Sequence, residues 1–502
     1  MTENTRRTLN RRDLLRVTTG SVIGGATVLT FGGTVTAADG TQRYLVATNG
    51  NARRRIENEG FEVAKELAGG ILFVDESESA EDELDEIGGV QHVVPNREIE
   101  RETLEPSIEF RAESVDGHGS DEPPAGWDLQ WPMHRIDLLD AHEMGTTGDG
   151  TRIAIVDSGI HSEHADLVGN VNEDDSVAFG YDGERDDHPD EPIDVSGHGT
   201  CVGGVAAAHG ENFVLGVAPD AELVSVRIFP EPGPTTSAAV LAGWDYVARE
   251  IEVDVMNFSV GRFPHHPRPF EGEEGFRGML ERLANEITRG ETLLAASTGN
   301  DSTNTQHGPL VNFYTDMAGV TGTGATSPFD SRSYYSDFGL PTVSVTGPGG
   351  GHDDFVDTFC GGIEWLLQGE FFAPGADPGD ETGFCIDDEG FIVPFEEDPP
   401  EEWECFECTV PEYPYPLNQF LCPDFNPAEP DIDNNYLWVQ GTSLASPIVA
   451  GVAALVMETN PDLNVRQAER AIKRGAELVN GQSDPELGAG RVNAANSVDE
   501  VK

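Results

Sequence analysis

The sequence predicts an α/β fold: a three-layer sandwich with a central, mostly parallel sheet between helix layers, preceded by a small α+β domain. Three observations carry this reading. From Trp127 onward, short apolar runs alternate with helix-patterned stretches, the rhythm of a buried parallel sheet with crossover helices. Thr442–Glu458 is apolar on nearly every face, as a fully buried helix must be. Ahead of both, a short segment reads strand, helix, strand, helix, strand and then runs into a breaker-rich linker.

The elements follow in order. Residues 1–38 are not fold. Arg11-Arg12-Asp13-Leu14-Leu15-Arg16 is a twin-arginine export pattern, and a mild Gly- and Thr-rich apolar stretch leads to small residues at Val35–Ala38. That stretch is too polar for a stable membrane anchor, and no later apolar run is read as membrane-spanning. Residues 39–105 form the small domain: strands at Tyr44–Ala47, Gly70–Val74 and Val90–Pro95, with helices over Asn51–Leu67 and Ser77–Ile87. Residues 106–126 are the linker. Its Gly117–Pro124 stretch is accessible, and proteolytic cuts fall in such places. The main domain, 127–502, has strands at Arg152–Val156, Leu223–Ile228, Val253–Phe258, Thr292–Ala296 and Thr342–Val345. Helices lie at His198–Ala208, Ser237–Arg249 and Phe276–Arg289. Residues of about 349–436 break the rhythm with Asp, Glu, Pro and Phe and read as a surface insertion. Pro447 is expected in the first turn of the buried helix, where its missing N–H costs nothing. Val465–Leu478 and Gly488–Asn496 close the domain.

Charge and cysteines set the conditions. The 502 residues hold 30 Lys+Arg against 91 Asp+Glu, a net charge of -61. Lys65, Lys473 and Lys502 are the only lysines. The acidic residues are spread along a chain with regular apolar runs, so the reading is a folded protein with an acidic surface. Such a surface repels itself until molar salt shortens the Debye length to about 3 Å, so a salt-requiring, halophilic protein is expected. The sign of the charge excludes nucleic acid as a partner. Of six cysteines, Cys360, Cys385, Cys405, Cys408 and Cys422 cluster in the insertion. In an exported protein they read as disulfides of open connectivity, with zinc the weaker alternative. Nothing marks an oligomer, and a monomer is expected.

Three separated segments carry chemistry: Asp157-Ser158-Gly159-Ile160, His198-Gly199-Thr200 and Gly441–Pro447 around Ser443. Taken singly they are a turn Asp, an ordinary His and an N-cap Ser. Together they supply a nucleophile, the imidazole that takes its proton and the carboxylate that orients the imidazole. Asp157 closes a buried strand, where a carboxylate needs a partner. The glycines beside His198 allow close backbone approach. Ser443 opens the buried helix, whose N–H groups favour a developing anion. Asn300, after Gly299, reads alone as a turn Asn; beside the other segments its amide can donate to that anion with the Ser443 N–H.

With Gly203-Gly204, Gly216–Pro219, Asn257–Gly261 and Gly299-Asn300 in the same order, Trp127–Val498 resembles the subtilisin-like serine proteases (subtilases), most closely the halolysin-like proteases of haloarchaea. The resemblance implies a serine endopeptidase with nucleophile Ser443, base His198, orienting Asp157 and oxyanion donor Asn300. It implies that Ser259-Val260-Gly261 runs beside a bound peptide and that Pro232–Thr236 edges the other side. It makes residues 39–105 a propeptide, at once chaperone and temporary inhibitor, so the partners are protein and peptide substrates and the chain's own propeptide. Secretion through twin-arginine export follows. Calcium is the implied structural ion, with Asp166 as ligand and His209–Phe213 as carbonyl donors. The alternative for Asp166 is a surface carboxylate. Cys201 stands where the family often has His, so mercurial sensitivity is expected. Leu444-Ala445-Ser446 also departs from the usual Met-Ala-Ala or Met-Ala-Thr, with no loss of activity expected.

Overall fold

The computed structural model describes residues 41–502 except 78–79, 100–107, 112–122, 125, 128–129, 187–193, 231–233, 261–272, 307–310, 352–370, 375–383, 387–391, 395–403, 406–434 and 479–482. Residues 1–38, expected to be an export signal, lie outside them.

The N-terminal segment comprises β1 (Thr41–Thr48), α1 (Ala52–Asn58), β2 (Glu62–Leu67), β3 (Ile71–Ser77), α2 (Glu81–Asp85), β4 (Val90–Pro95) and β5 (Glu98–Ile99). The first four strands form one antiparallel sheet, ordered β2-β3-β1-β4. The helix expected over Asn51–Leu67 is half strand. Gly60, at φ +100°, ends α1, and Glu62–Leu67 then alternates in burial with a period of two. Its helix-favouring composition gives way to pairing with β3. Alternation also explains why nearly all of β1 is buried. Tyr44 and Val46 join a small core with Ile56 and Leu84. Leu45 and Ala47 face the other way, into a core shared with the main body.

The stretch read as linker contains β6 (Ile108–Arg111), which pairs antiparallel with Asn435–Val439, the strand leading to Ser443. Beyond it come α3 (Trp131–Arg135), α4 (Leu138–Glu143), β7 (Arg152–Asp157), β8 (Val177–Ala178), α5 (His198–Ala207), β9 (Glu222–Arg227), β10 (Thr235–Thr236) and α6 (Ser237–Arg249). Then follow β11 (Val255–Phe258), α7 (Glu273–Arg289), β12 (Leu293–Ser297), β13 (Val320–Thr326) and β14 (Val345–Pro348). β13 escaped the sequence reading because VTGTGAT has no apolar run, and β14 begins where the strand at Thr342–Val345 was expected to end. The insertion holds β15 (Phe371–Pro374), β16 (Phe384–Ile386), β17 (Ile392–Pro394) and β18 (Glu404–Cys405). Cys385 and Cys405 are register partners there, while Cys360, Cys408 and Cys422 lie outside the described residues. β19 (Asn435–Val439), α8 (Thr442–Thr459), α9 (Val465–Gly475) and α10 (Ala494–Asp499) complete the chain.

Seven strands, β14-β13-β12-β11-β7-β9-β8, make a parallel central sheet. Ile153, Ile155, Leu223, Val255 and Leu293 face α5, α8 and α9. Ala154, Val156, Val224, Met256 and Leu294 face α6 and α7. The N-terminal sheet lies over α6 and α7, adding Leu45, Ile71, Phe73 and Val94 to that second core. Helix α8 is, among the described residues, the one long and apolar enough to cross a membrane, but it is buried inside the protein.

Candidate active site

Strand β7 delivers Asp157 at its carboxyl end, where open parallel sheets place their functional groups. Helix α5 begins at His198. The two segments meet backbone to backbone: a Cβ on Gly199 would lie 2.0 Å from the Gly159 carbonyl oxygen. Only glycine permits that approach. It leaves His198 Nδ1 2.7 Å from Asp157 Oδ1, with both side chains buried. Ser158 N–H also donates to Asp157 Oδ1 at 2.7 Å. A buried carboxylate is costly unless paired; the imidazole and the Ser158 N–H offset that cost at Oδ1, whereas Oδ2 is buried without a hydrogen-bond partner among the described residues.

Ser443 is the second residue of α8, one residue after Thr442, which follows the N-cap Gly441. Pro447 is the sixth residue, past the first turn where it was expected. Its missing N–H is the one that would have bonded the Ser443 carbonyl four residues back. Ser259 takes over: its hydroxyl donates to the Ser443 carbonyl at 3.0 Å. Ser259 is fixed by Asn257, whose Nδ2 donates to it at 2.9 Å, and Asn257 Oδ1 accepts from Ser446 Oγ at 2.7 Å. Ser446, a departure from the usual motif, closes this network. Ser259 and Val260, expected beside a bound peptide, both have buried side chains. Gly261 and Pro232 lie outside the described residues.

Asn300 caps α8 from outside. Its Oδ1 accepts from Thr442 N–H at 2.9 Å and from Thr442 Oγ1 at 2.8 Å. Those donors fix which amide atom is the oxygen. The NH2 is turned toward Gly441, where an added Cβ would lie 3.3 Å from Nδ2. A carboxylate–imidazole pair thus sits where β7 meets α5, and a serine in the first turn of buried α8 has an amide donor beside its N-cap. That set can run general-base attack by a hydroxyl and hold an oxyanion.

The Cys201 thiol is fully buried. Burial pushes its pKa well up, and the Asp194 and Asp157 carboxylates push it further. This removes the reason to expect mercurial sensitivity, because neither access nor thiolate is provided.

Asp166 does not fit the calcium ligand expected of it. Its Oδ1 accepts from Asn212 N–H (2.9 Å) and Phe213 N–H (3.2 Å), and its Oδ2 from Phe213 N–H (2.9 Å) and Val214 N–H (3.0 Å). A carboxylate offers about four lone-pair sites, and backbone donors occupy them. Calcium requires oxygen ligands, whereas this loop turns its N–H groups to Asp166. Nearby, Gln130 clasps Leu215 through both amide atoms, at 2.9 and 2.8 Å.

Two features were missed in the sequence. The Asn257–Ser259–Ser446 network carried no signal beyond family motifs. Asp194 was hidden in an acidic run, Asp186 to Asp194.

Residues 148–382 and 418–490 match the model described as Subtilase family (Peptidase_S8). The chain belongs to this family and is a serine-type endopeptidase acting through an acyl-enzyme. It is 25% identical over 369 residues to alkaline elastase YaB of Bacillus sp. (strain YaB), covering 73% of this chain and 69% of that protein. It is 26% identical over 367 residues to the serine protease AprX of Bacillus subtilis (strain 168), covering 70% and 67%. Among solved structures it resembles the epidermin leader peptide processing serine protease EpiP of Staphylococcus aureus, with a TM-score of 0.63, 17% identity and coverage of 91% and 98%. That last likeness is one of fold. These relatives are bacterial, so the family is established more broadly than its halolysin-like branch.

Proposed function

We propose that the chain is a secreted, salt-dependent, self-processing protease of the halolysin-like type, with Ser443, His198, Asp157 and Asn300 as its catalytic residues. Ser443 Oγ attacks the scissile carbonyl carbon and passes its proton to His198 Nε2. Asp157, on Nδ1, holds the ring and stabilises the imidazolium. Asn300 Nδ2 and the Ser443 N–H receive the oxyanion. Collapse expels the amine, which takes the proton from His198. Water, activated by the same imidazole, then releases the acyl group. The 2.7 Å pairing of His198 with Asp157 is the observation that carries this reading.

Residues 41–99 support the zymogen part. Asn96 donates to the Tyr181 carbonyl at 2.8 Å and accepts from the Ala238 N–H at the start of α6 at 2.9 Å. Arg43 bridges Asp75 of its own sheet to Glu184 of the main body, at 2.6 and 2.8 Å. β5, where the chain leaves this unit, pairs antiparallel with β10, the segment expected to edge bound substrate. A substrate-like exit of this kind suits a propeptide awaiting cleavage. The twin-arginine pattern supports export, and the net charge of -61 supports salt dependence.

The test compares the full chain, without its export signal, with Ser443→Ala in multi-molar salt, following intact mass. Wild type should shed its N-terminal unit while the variant stays whole. A variant that processes itself equally fast would overturn the assignment of Ser443. A narrower reading, a dedicated processing protease, is favoured by the long insertion. Cleavage of casein alongside a peptide panel separates the two, since broad cleavage excludes the narrow one.

A further inference from the structure

Asp194 stands four residues before His198 and belongs to no part of the mechanism above. Its carboxylate accepts four hydrogen bonds. Oδ1 accepts from Ser158 Oγ at 2.7 Å and from Ser196 N–H at 2.9 Å. Oδ2 accepts from Thr200 N–H at 2.8 Å and Thr200 Oγ1 at 2.6 Å. These donors come from two places. Ser158 follows Asp157 at the end of β7, whereas Ser196 and Thr200 flank His198 at the start of α5. The linkage is doubled. Ser158 Oγ also accepts from Gly199 N–H at 2.9 Å, and Thr200 Oγ1 accepts from His161 N–H at 3.0 Å.

The start of α5 explains why a carboxylate sits here. Its N-cap is Gly197, at φ +80°, which has no side chain with which to cap. The first N–H groups of a helix lack partners within it, and negative charge is favoured there. Asp194 supplies both the missing acceptor and the charge. Only a carboxylate offers acceptors to all four donors. An Asn would turn an NH2 toward two of them.

We infer that Asp194 is a positioning residue for catalysis: it clasps the segment carrying Asp157 to the segment carrying His198 and keeps the imidazole seated on its carboxylate. The inference rests on reading Asp157 and His198 as orienting acid and base.

The test uses the full chain in high salt, with a peptide p-nitroanilide as substrate and circular dichroism as the check of folding. Asp194→Asn should lower kcat about ten- to a hundredfold, the scale of a small misplacement of reacting groups, with KM within about twofold. The acid limb of its kcat/KM profile reports the base of the free enzyme. It should move to lower pH, because the imidazolium loses a nearby anion. A folded Asp194→Asn with wild-type kcat and an unmoved acid limb overturns the inference, leaving Asp194 a stability element. If Asp194→Asn does not fold, Ser158→Ala decides. It removes the Asp194–Ser158–Gly199 bridge alone and should lower kcat several-fold; unchanged kcat overturns the inference. His198→Ala run alongside separates the levels. If it retains turnover, the triad reading fails and takes this inference with it. If it is dead beside a wild-type-like Asp194→Asn, only this inference falls.

Discussion

The two ends of the Asn300 amide face different partners, and their effects can be pulled apart. Its oxygen caps α8 through Thr442, while its NH2 is the proposed oxyanion donor. Asn300→Asp keeps the capping oxygen and replaces the donor with an acceptor. Melting temperature should change little, whereas kcat should fall by at least about a hundredfold, as for loss of an oxyanion donor. Equal turnover in wild type and variant would remove Asn300 from the mechanism. Cys201 provides a second residue-scale expectation. With the thiol buried and its pKa raised, iodoacetamide should leave it unmodified in the folded protein and alkylate it after unfolding, as read by peptide mass. Rapid labelling of the native chain would contradict its placement.

At the scale of the element, α8 presents a proline where the nucleophile's own carbonyl needs a donor, and β11 meets that need through Ser259. Ser259→Ala should leave the Ser443 carbonyl unsatisfied, at a cost of about 1–3 kcal/mol in chemical denaturation, and should lower kcat because the helix start is less fixed. A variant as stable as wild type would mean that another donor compensates. Legibility at this scale followed the kind of signal each element carries. Ser237–Arg249 was read to the residue; in the structure Thr236 caps it, its side chain accepting from the Ala239 N–H. The family was legible because the glycines and chain order of the segments around Asp157, His198 and Ser443 are unusual. β2 was not, because Glu, Ala, Lys and Leu favour helices until a neighbouring strand outbids them. β13 was not, because a strand buried on both faces between close neighbours can be built from Gly and Thr. Asp194 was not, because one acid in an acidic run shows nothing of its partners.

At the scale of the whole molecule, net charge opposes compactness. Several ion pairs offset it locally. Arg491, nearly buried, bonds Asp330 at 2.6 Å and Glu477 at 2.5 Å, tying the C-terminal segment to the body. With 91 acidic against 30 basic residues, most carboxylates nevertheless have no cation available. Raising NaCl from about 0.1 M to molar levels shortens the Debye length from about 10 to about 3 Å. The melting temperature should therefore rise steeply with salt, because screening relieves more repulsion than it weakens attraction. A flat or falling melting temperature would show that the paired charges govern stability.

The contact between Gly199 and Gly159 bears on what descent can alter in this protein. Acid and base are brought together by peptide groups touching, with no side chain between them to shrink, grow or repack. A conventional core tolerates exchange because a loss at one position is made good at another. Here no second-site change can restore the distance, since the obstruction would be the first carbon of any side chain at all. In a library of every substitution at every position, neighbouring core sites such as Val202 should admit several residues, whereas position 199 should admit one. The surface is free to drift toward acid or away from it, and the insertion free to lengthen, around a point at which the sequence has no freedom.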